Sequence, residues 1–361
     1  MAFAPDQFAT RKKPMYPIGA PLREYLGRYN RLFKLPVSYS RLTEWDESMP
    51  LYDAKGEDTL WRSVIYRSEV MRRLNKHLTA IYALLKTEGD YSFVDHLYVD
   101  RIDYCTFGNS HPFRIRVVNA YNENQDYYYI KKADASRIYG LELEHLLSPN
   151  RMHYLIADDL LVEEHVVGIP GDVFIERWMH DRNIRKIRLA KELVKFNERC
   201  FIRLLGDMRS YNFVVDVTPD FEDVQMRIRA MDFDQQSYSG RKNFYLPQFF
   251  RENRALAEFC MQQINVPTAR QYQKEEQAVF YRRLVIARER LGALMEAMCV
   301  DTISTDEKVA DLRSALADHY QNTAFETARN MGEILRLSLT HLRENMQRQR
   351  VEFPELEKLN A

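Results

Sequence analysis

Apolar positions along the chain follow two rhythms. From Thr59 to Lys86, residues such as Leu60, Val64, Met71, Leu74, Leu78 and Ile81 recur near helical spacing and predict one long amphipathic helix, with Gly89 at its end. Tyr98 to Thr106, Phe113 to Val118 and Tyr127 to Lys131 are short runs rich in β-branched and aromatic residues, separated by turn-rich stretches. They predict an antiparallel meander. Helical spacing returns over Ala135 to Leu147, and two apolar runs, Tyr154 to Ala157 and Leu160 to Glu164, read as strands around Asp158-Asp159. Gly168-Ile169-Pro170-Gly171 breaks the pattern, and most of the chain beyond it reads as helix.

Within that second half, Ile184 to Leu205 forms one amphipathic helix that runs into Gly206-Asp207. Phe213 to Val217 and Met226 to Met231 then read as a hairpin around Thr218 to Asp223. From Asn243 to Gln347 the helical pattern resumes, broken at Pro267 and around Asp301 to Thr305. The first 55 or so residues keep no sustained period and read as an irregular arm. The expectation is an α+β chain in which an arm and long helix (1–90) precede a sheet-rich segment (91–167) and a helical one (168–361).

Composition narrows the partners. At 361 residues with 45% hydrophobic content, the chain can bury a core shared between two lobes. Its 52 basic residues cancel its 52 acidic ones, so no net field favours nucleic acid or an anionic membrane. Cys105, Cys200, Cys260 and Cys299 are far apart without a C-x-x-C pair, which points to buried thiols. With neither a signal-peptide stretch nor a membrane-length apolar run, the expected home is a reducing cytoplasm.

Candidate chemistry concentrates in Gly206-Asp207-Met208-Arg209-Ser210-Tyr211-Asn212, followed by Met231-Asp232-Phe233-Asp234. Asp207 stands at a helix-to-loop exit, Asn212 at the mouth of a strand and Asp232 at the end of the hairpin's second strand. The hairpin can therefore bring Asn212 and Asp232 side by side. An Asp, an Asn and an Asp offer hard oxygen ligands suited to Mg²⁺, whereas His or Cys at these places would favour zinc. Asp234 offers either a further ligand or a loop cap.

The pattern Gly206-Asp207-x4-Asn212, then Asp232-Phe233, resembles the catalytic loop and metal-binding strand end of kinase-like phosphotransferases, including aminoglycoside and choline kinases. The resemblance spans roughly residues 95 to 240. It implies a bilobal protein-kinase-like fold, with an antiparallel-sheet N-lobe, a mostly helical C-lobe and an extra N-terminal arm and helix. It also implies ATP and Mg²⁺, with Asp207 accepting or orienting an acceptor hydroxyl and Asn212 and Asp232 holding the metal. Tyr128-Tyr129-Ile130-Lys131-Lys132 is similar to the strand whose lysine binds the α- and β-phosphates. Strand alternation lets only one lysine face the nucleotide, and Lys131 is chosen over Lys132.

The same resemblance assigns the lysine's acidic partner to the next helix, at Glu144 rather than Glu142. It places the adenine hinge around Glu164 and His165, and the phosphate-covering loop at Thr106 to His111, which contains Gly108. That loop has a single glycine, and Leu205 stands where many relatives have His. The cations Arg182, Arg185, Lys186, Arg188 and Lys191 read as a helix's wet face. The implied activity is transfer of the ATP γ-phosphoryl to a hydroxyl of a small-molecule or sugar-like acceptor. A protein-directed kinase or AMP transferase, or a catalytically silent scaffold, are the alternatives on the same fold.

Overall fold

The computed structural model describes residues 13–53, 55–87, 94–220 and 223–352. Gly89 and the centre of the turn after Val217 lie outside the described residues. Contacts gather the chain into two compact units. Of the described residues, the first takes those from 13 to Ile18, from Asn30 to Asp134 and His153–His165, and the second takes Gly19–Tyr29, Ala135–Met152 and those from Val166 on. The fold is α+β.

The first unit is built on a seven-stranded sheet of order β1-β2-β3-β4-β5-β7-β6. Its strands are β1 (Glu47–Tyr52), β2 (Asp58–Ile65), β3 (Leu97–Cys105), β4 (Phe113–Asn119), β5 (Gln125–Lys132), β6 (Tyr154–Ala157) and β7 (Leu160–Glu164). Every neighbouring pair is antiparallel. The strands β3 to β7 fall where alternation and turn chemistry predict them. The first two strands do not, because the helix expected from Thr59 begins only at Ser68. Trp61, Val64 and Ile65 suit a pleated surface, and β1 and β3 on either side satisfy the backbone of β2, so pairing overrides a spacing that fits either period. The supposed arm thus contributes helix α1 (Ala20–Arg28), a short helix, α2 (Tyr39–Leu42), and β1.

One face of this sheet packs on helix α3 (Ser68–Thr87). Leu78 and Ile81 from the helix join Ile115, Val117, Tyr128 and Ile130 from the strands in a single core cluster. The Tyr128 hydroxyl, carried into that core, donates to the Leu78 carbonyl at 2.9 Å. On the other face, the register aligns Asp103, Arg114, Tyr129 and Glu163 in one cross-strand row.

The second unit gathers helices α1 (Ala20–Arg28), α4 (Ala135–Leu147), α5 (Gly171–Val173), α6 (Lys186–Arg203), α7 (Arg254–Met261), α8 (Val266–Ile286), α9 (Arg288–Val300), α10 (Asp306–Tyr320) and α11 (Met331–Glu352). A three-stranded sheet accompanies them, with β8 (Ile169–Pro170), β9 (Phe213–Asp220) and β10 (Asp223–Ala230) in the order β10-β9-β8. Helix α6 packs on α7, α8, α11 and β10. All four cysteines are free thiols. No described helix is long and apolar enough to cross a membrane.

The first unit's core makes a graded prediction for denaturant unfolding. Ile115, fully buried, should cost about 2–5 kcal/mol when changed to Ala, whereas Tyr128→Phe should cost only about 1 kcal/mol through its lost hydrogen bond. Equal midpoints for the two variants would contradict this account of the core.

Candidate functional site

The catalytic-loop segment owes its shape to an abrupt helix stop. Leu204, buried at the end of α6, takes a left-handed conformation with φ 55°, and Asp207 takes another with φ 58°. Between them Gly206 is packed so closely that a side-chain carbon there would come within 2.6 Å of the Phe244 ring. The Gly206 amide donates to the Gln235 carbonyl and the Asp207 amide to the Phe244 carbonyl, both at 3.2 Å, which pins the loop in place. Asp is among the few residues that enter the left-handed region without large strain.

Asn212 closes the loop. Its side-chain nitrogen donates to the Asp207 carbonyl at 2.7 Å, and its own carbonyl accepts from the Met231 amide at 3.1 Å. Asp232 is therefore delivered beside this loop by the β9-β10 hairpin. The Asp207 carboxylate accepts from Arg209 Nε at 2.8 Å, and the same guanidinium reaches Glu252 at 2.7 Å. Burial raises the Asp207 pKa above the usual carboxylate value; Arg209 pulls it back down, and the Asp232 charge adds to the upward push. Asp207, Asn212 and Asp232 are thus brought together, as their spacing predicts.

Arg137 was not among the expected site residues. It is 1% exposed on α4, and its Nη1 donates to Asp232 Oδ1 at 2.6 Å and to Asp234 Oδ1 at 2.7 Å. The Asp234 amide also donates to Asp232 Oδ1, at 3.1 Å. Asp234, left open between ligand and cap, therefore shares a buried cation with Asp232. The signal in the sequence was a lone arginine in a helix dominated by apolar residues, since such a cation needs a carboxylate when the helix is buried. Arg209 and Glu252 were missed as well, and only the first lies inside the motif.

The assignment of Glu144 as the lysine's partner is corrected. Every residue of α4 except His145 is buried, and each of its acids has its own cation: Glu144 meets Arg203, while Glu142 accepts from Arg290 at 2.7 Å and from the Tyr25 hydroxyl at 2.7 Å. In the first unit, Lys131 Nζ lies 2.6 Å from Glu163 Oε2 on the adjacent strand. Glu163 stands opposite Tyr129, so it shares the sheet face on which alternation puts Lys131. Lys132 points away, over the Tyr39 ring at 5.1 Å.

The other expected nucleotide residues all lie in the first unit. Glu164 accepts from the His153 amide at 2.7 Å, and Lys86 approaches it at 3.5 Å. His165 Nδ1 lies 3.1 Å from the Tyr129 hydroxyl, and burial lowers its pKa. Gly108 sits in the turn between β3 and β4, where its carbonyl accepts from the His111 amide at 3.1 Å.

The sequence matches no family model and no curated protein. What the site can do therefore rests on its own geometry.

Among the described residues, no group of three or more His, Cys, Asp or Glu side chains is arranged to hold a metal. A hard cation would need the amide oxygen of Asn212 together with Asp232, and outside oxygens to complete its shell. The donor set fits that demand. Asn212 commits its nitrogen to Asp207, which turns its oxygen elsewhere, and the Asp232 side chain keeps 34% exposure despite its bond to Arg137.

Asp207 yields a test in which stability and backbone strain separate. A carboxyl whose folded-state pKa is raised adds nothing below the unfolded value and destabilises increasingly as pH rises through the folded one. Asp207→Asn, which tolerates the same φ, should therefore be more stable than the parent at neutral pH, with the gain vanishing in acid below the usual carboxylate range. Asp207→Ala should unfold about 1 kcal/mol more easily than the Asn variant because of its left-handed backbone. Melting curves across pH that show no gain for Asn would refute the raised pKa.

Proposed function

We propose that the protein is an ATP- and Mg²⁺-dependent phosphotransferase of the kinase-like type, moving the γ-phosphoryl to a hydroxyl of a small-molecule or sugar-like acceptor. On this reading the seven-stranded unit corresponds to that fold's N-lobe and the helical unit to its C-lobe. The observation that carries the proposal is the Asn212 amide bonded to the Asp207 carbonyl, with Asp232 delivered beside it by the hairpin.

Phosphoryl transfer passes through a loose transition state, so the protein's work is to position groups and neutralise charge. Asp207 is the group that accepts or orients the acceptor's hydroxyl proton. Desolvation makes it a stronger base than an exposed carboxylate, while Arg209 holds one of its oxygens in a fixed direction. Asn212 and Asp232 are the metal ligands, and the ion supplies electrostatic neutralisation of phosphate oxygens. Lys131, steadied by Glu163, is the phosphate-binding lysine. Glu164 and His165 belong to the adenine-reading segment, and Gly108 to the turn over the phosphates. The free state of all four cysteines supports a reducing cytoplasm as the home.

One observation favours a second reading, a nucleotide-binding scaffold without turnover: Arg137 already occupies Asp232 and Asp234. A third possibility differs in the acceptor, a protein taking the same γ-phosphorus, or, for AMP transfer, in the α-phosphorus moving instead. Incubation with ATP labelled at the γ or the α position, with hydroxylated small molecules and with protein acceptors, separates the three. The expected result is γ label on a small acceptor, lost in Asp207→Asn. A rise in melting temperature with Mg²⁺ and ATP, equivalent to about 2.7 kcal/mol at a hundredfold excess over Kd, but no label transfer, would favour the scaffold. Absence of both would reject the nucleotide reading.

A further inference from the structure

Metal-assisted phosphoryl transfer on this type of loop commonly employs two divalent cations to offset the charge of the phosphates and carboxylates. In this protein a cation is already built into the acidic end of the hairpin. Arg137 Nη1 bridges Asp232 Oδ1 and Asp234 Oδ1 at 2.6 and 2.7 Å. A second ion shared by those two carboxylates would have to occupy the position this nitrogen holds.

The bridge is part of the fold and not a surface pairing. Arg137 is 1% exposed, whereas a solvated arginine would exchange freely with ions. The neighbouring Ser136 hydroxyl donates to the Gln236 carbonyl at 2.7 Å and reaches the Asp234 carbonyl at 3.3 Å. One turn further along α4, Gly140 allows the helix so close that a side-chain carbon there would lie 3.1 Å from Phe233 Cβ. These contacts fasten α4 to residues 233–236 on both sides of the guanidinium, so Arg137 cannot withdraw without moving the helix.

The open side of the site differs. The Asp232 side chain keeps 34% exposure against 20% for Asp234, and Asp232 adjoins Asn212 through the Met231 amide. Arg209 and Arg137 together answer the carboxylates of Asp207, Glu252, Asp232 and Asp234 with two positive charges.

We propose that Arg137 is a permanent cationic occupant of the metal site, holding Asp232 and Asp234 in place of a second ion, so that the nucleotide-bound protein takes one divalent cation at Asp232 and Asn212. This rests on the Mg²⁺-nucleotide reading above and deepens it. Arg137 is a positioning residue, since it acts on the metal and the nucleotide through the two aspartates.

The test counts bound Mn²⁺ by electron paramagnetic resonance on the full chain, saturated with a non-hydrolysable ATP analogue whose binding is measured separately with a fluorescent nucleotide. The wild type should hold one Mn²⁺ per chain, and Arg137→Lys, which keeps a charge at the bridge, should hold one as well. Arg137→Met should hold two and show the dipolar broadening of a close Mn²⁺ pair. If that variant fails to fold, the wild type and Arg137→Lys decide the matter. Two Mn²⁺ in the wild type would overturn the proposal. Nucleotide bound with no Mn²⁺ would overturn it too, by making Arg137 a block rather than a substitute. No nucleotide bound at all would instead remove the reading on which it rests.

Discussion

A charge taken out of water has to be met by an opposite charge, and helix α4 carries three such charges inside the second unit. Arg137 meets Asp232 and Asp234, Glu142 meets Arg290 with the Tyr25 hydroxyl, and Glu144 meets Arg203. Removing one partner of a buried pair typically costs about 3–5 kcal/mol, because the survivor stays buried and uncompensated. The three pairings therefore dictate where α4 lies against the hairpin end, α1 and α9, and α6. The candidate site inherits its precision from that constraint, since Asp232 and Asp234 are held by a side chain that cannot relax into solvent.

The same logic ties fold to chemistry at Asp207. Helix α6 stops because Leu204 turns left-handed, and the loop beyond it is fastened by backbone bonds to Gln235 and Phe244 and by the Asn212 amide. Fastening keeps Asp207 partly desolvated, which makes its carboxyl more basic, and Arg209 limits how far that goes. A group poised in this way suits proton acceptance from a hydroxyl better than a fully hydrated carboxylate does. The phosphate-binding role proposed for Lys131 rests on a different support, the cross-strand Glu163 on the sheet face opposite α3.

Much of this was legible in the chain because it depends on neighbours in sequence. Strands β3 to β7 and helix α4 announce themselves through alternation, helical spacing and turn residues, and α4 begins and ends where its apolar spacing does. Asp207, Asn212 and Asp232 were legible for a related reason: one loop and one hairpin bring them together. Strand β2 was not, since its apolar positions suit both periods and its pairing with β1 and β3 is decided in three dimensions. Partner choice among charges was equally hidden. Glu144 looked like an acid free to reach a lysine, but burial of nearly the whole helix commits it to Arg203, and a lysine on β5 finds its acid one strand away.

The central claim is that the loop and hairpin grip a divalent cation against nucleotide phosphates. A crystal structure of the full chain with Mn²⁺ and a non-hydrolysable ATP analogue, phased for manganese anomalous scattering, tests it most directly. The account predicts an anomalous peak within about 2.0–2.3 Å of Asp232 and Asn212 oxygens, bridged to phosphate oxygens of the analogue. Manganese or nucleotide bound elsewhere, with Asp207, Asn212 and Asp232 touching neither, would contradict it.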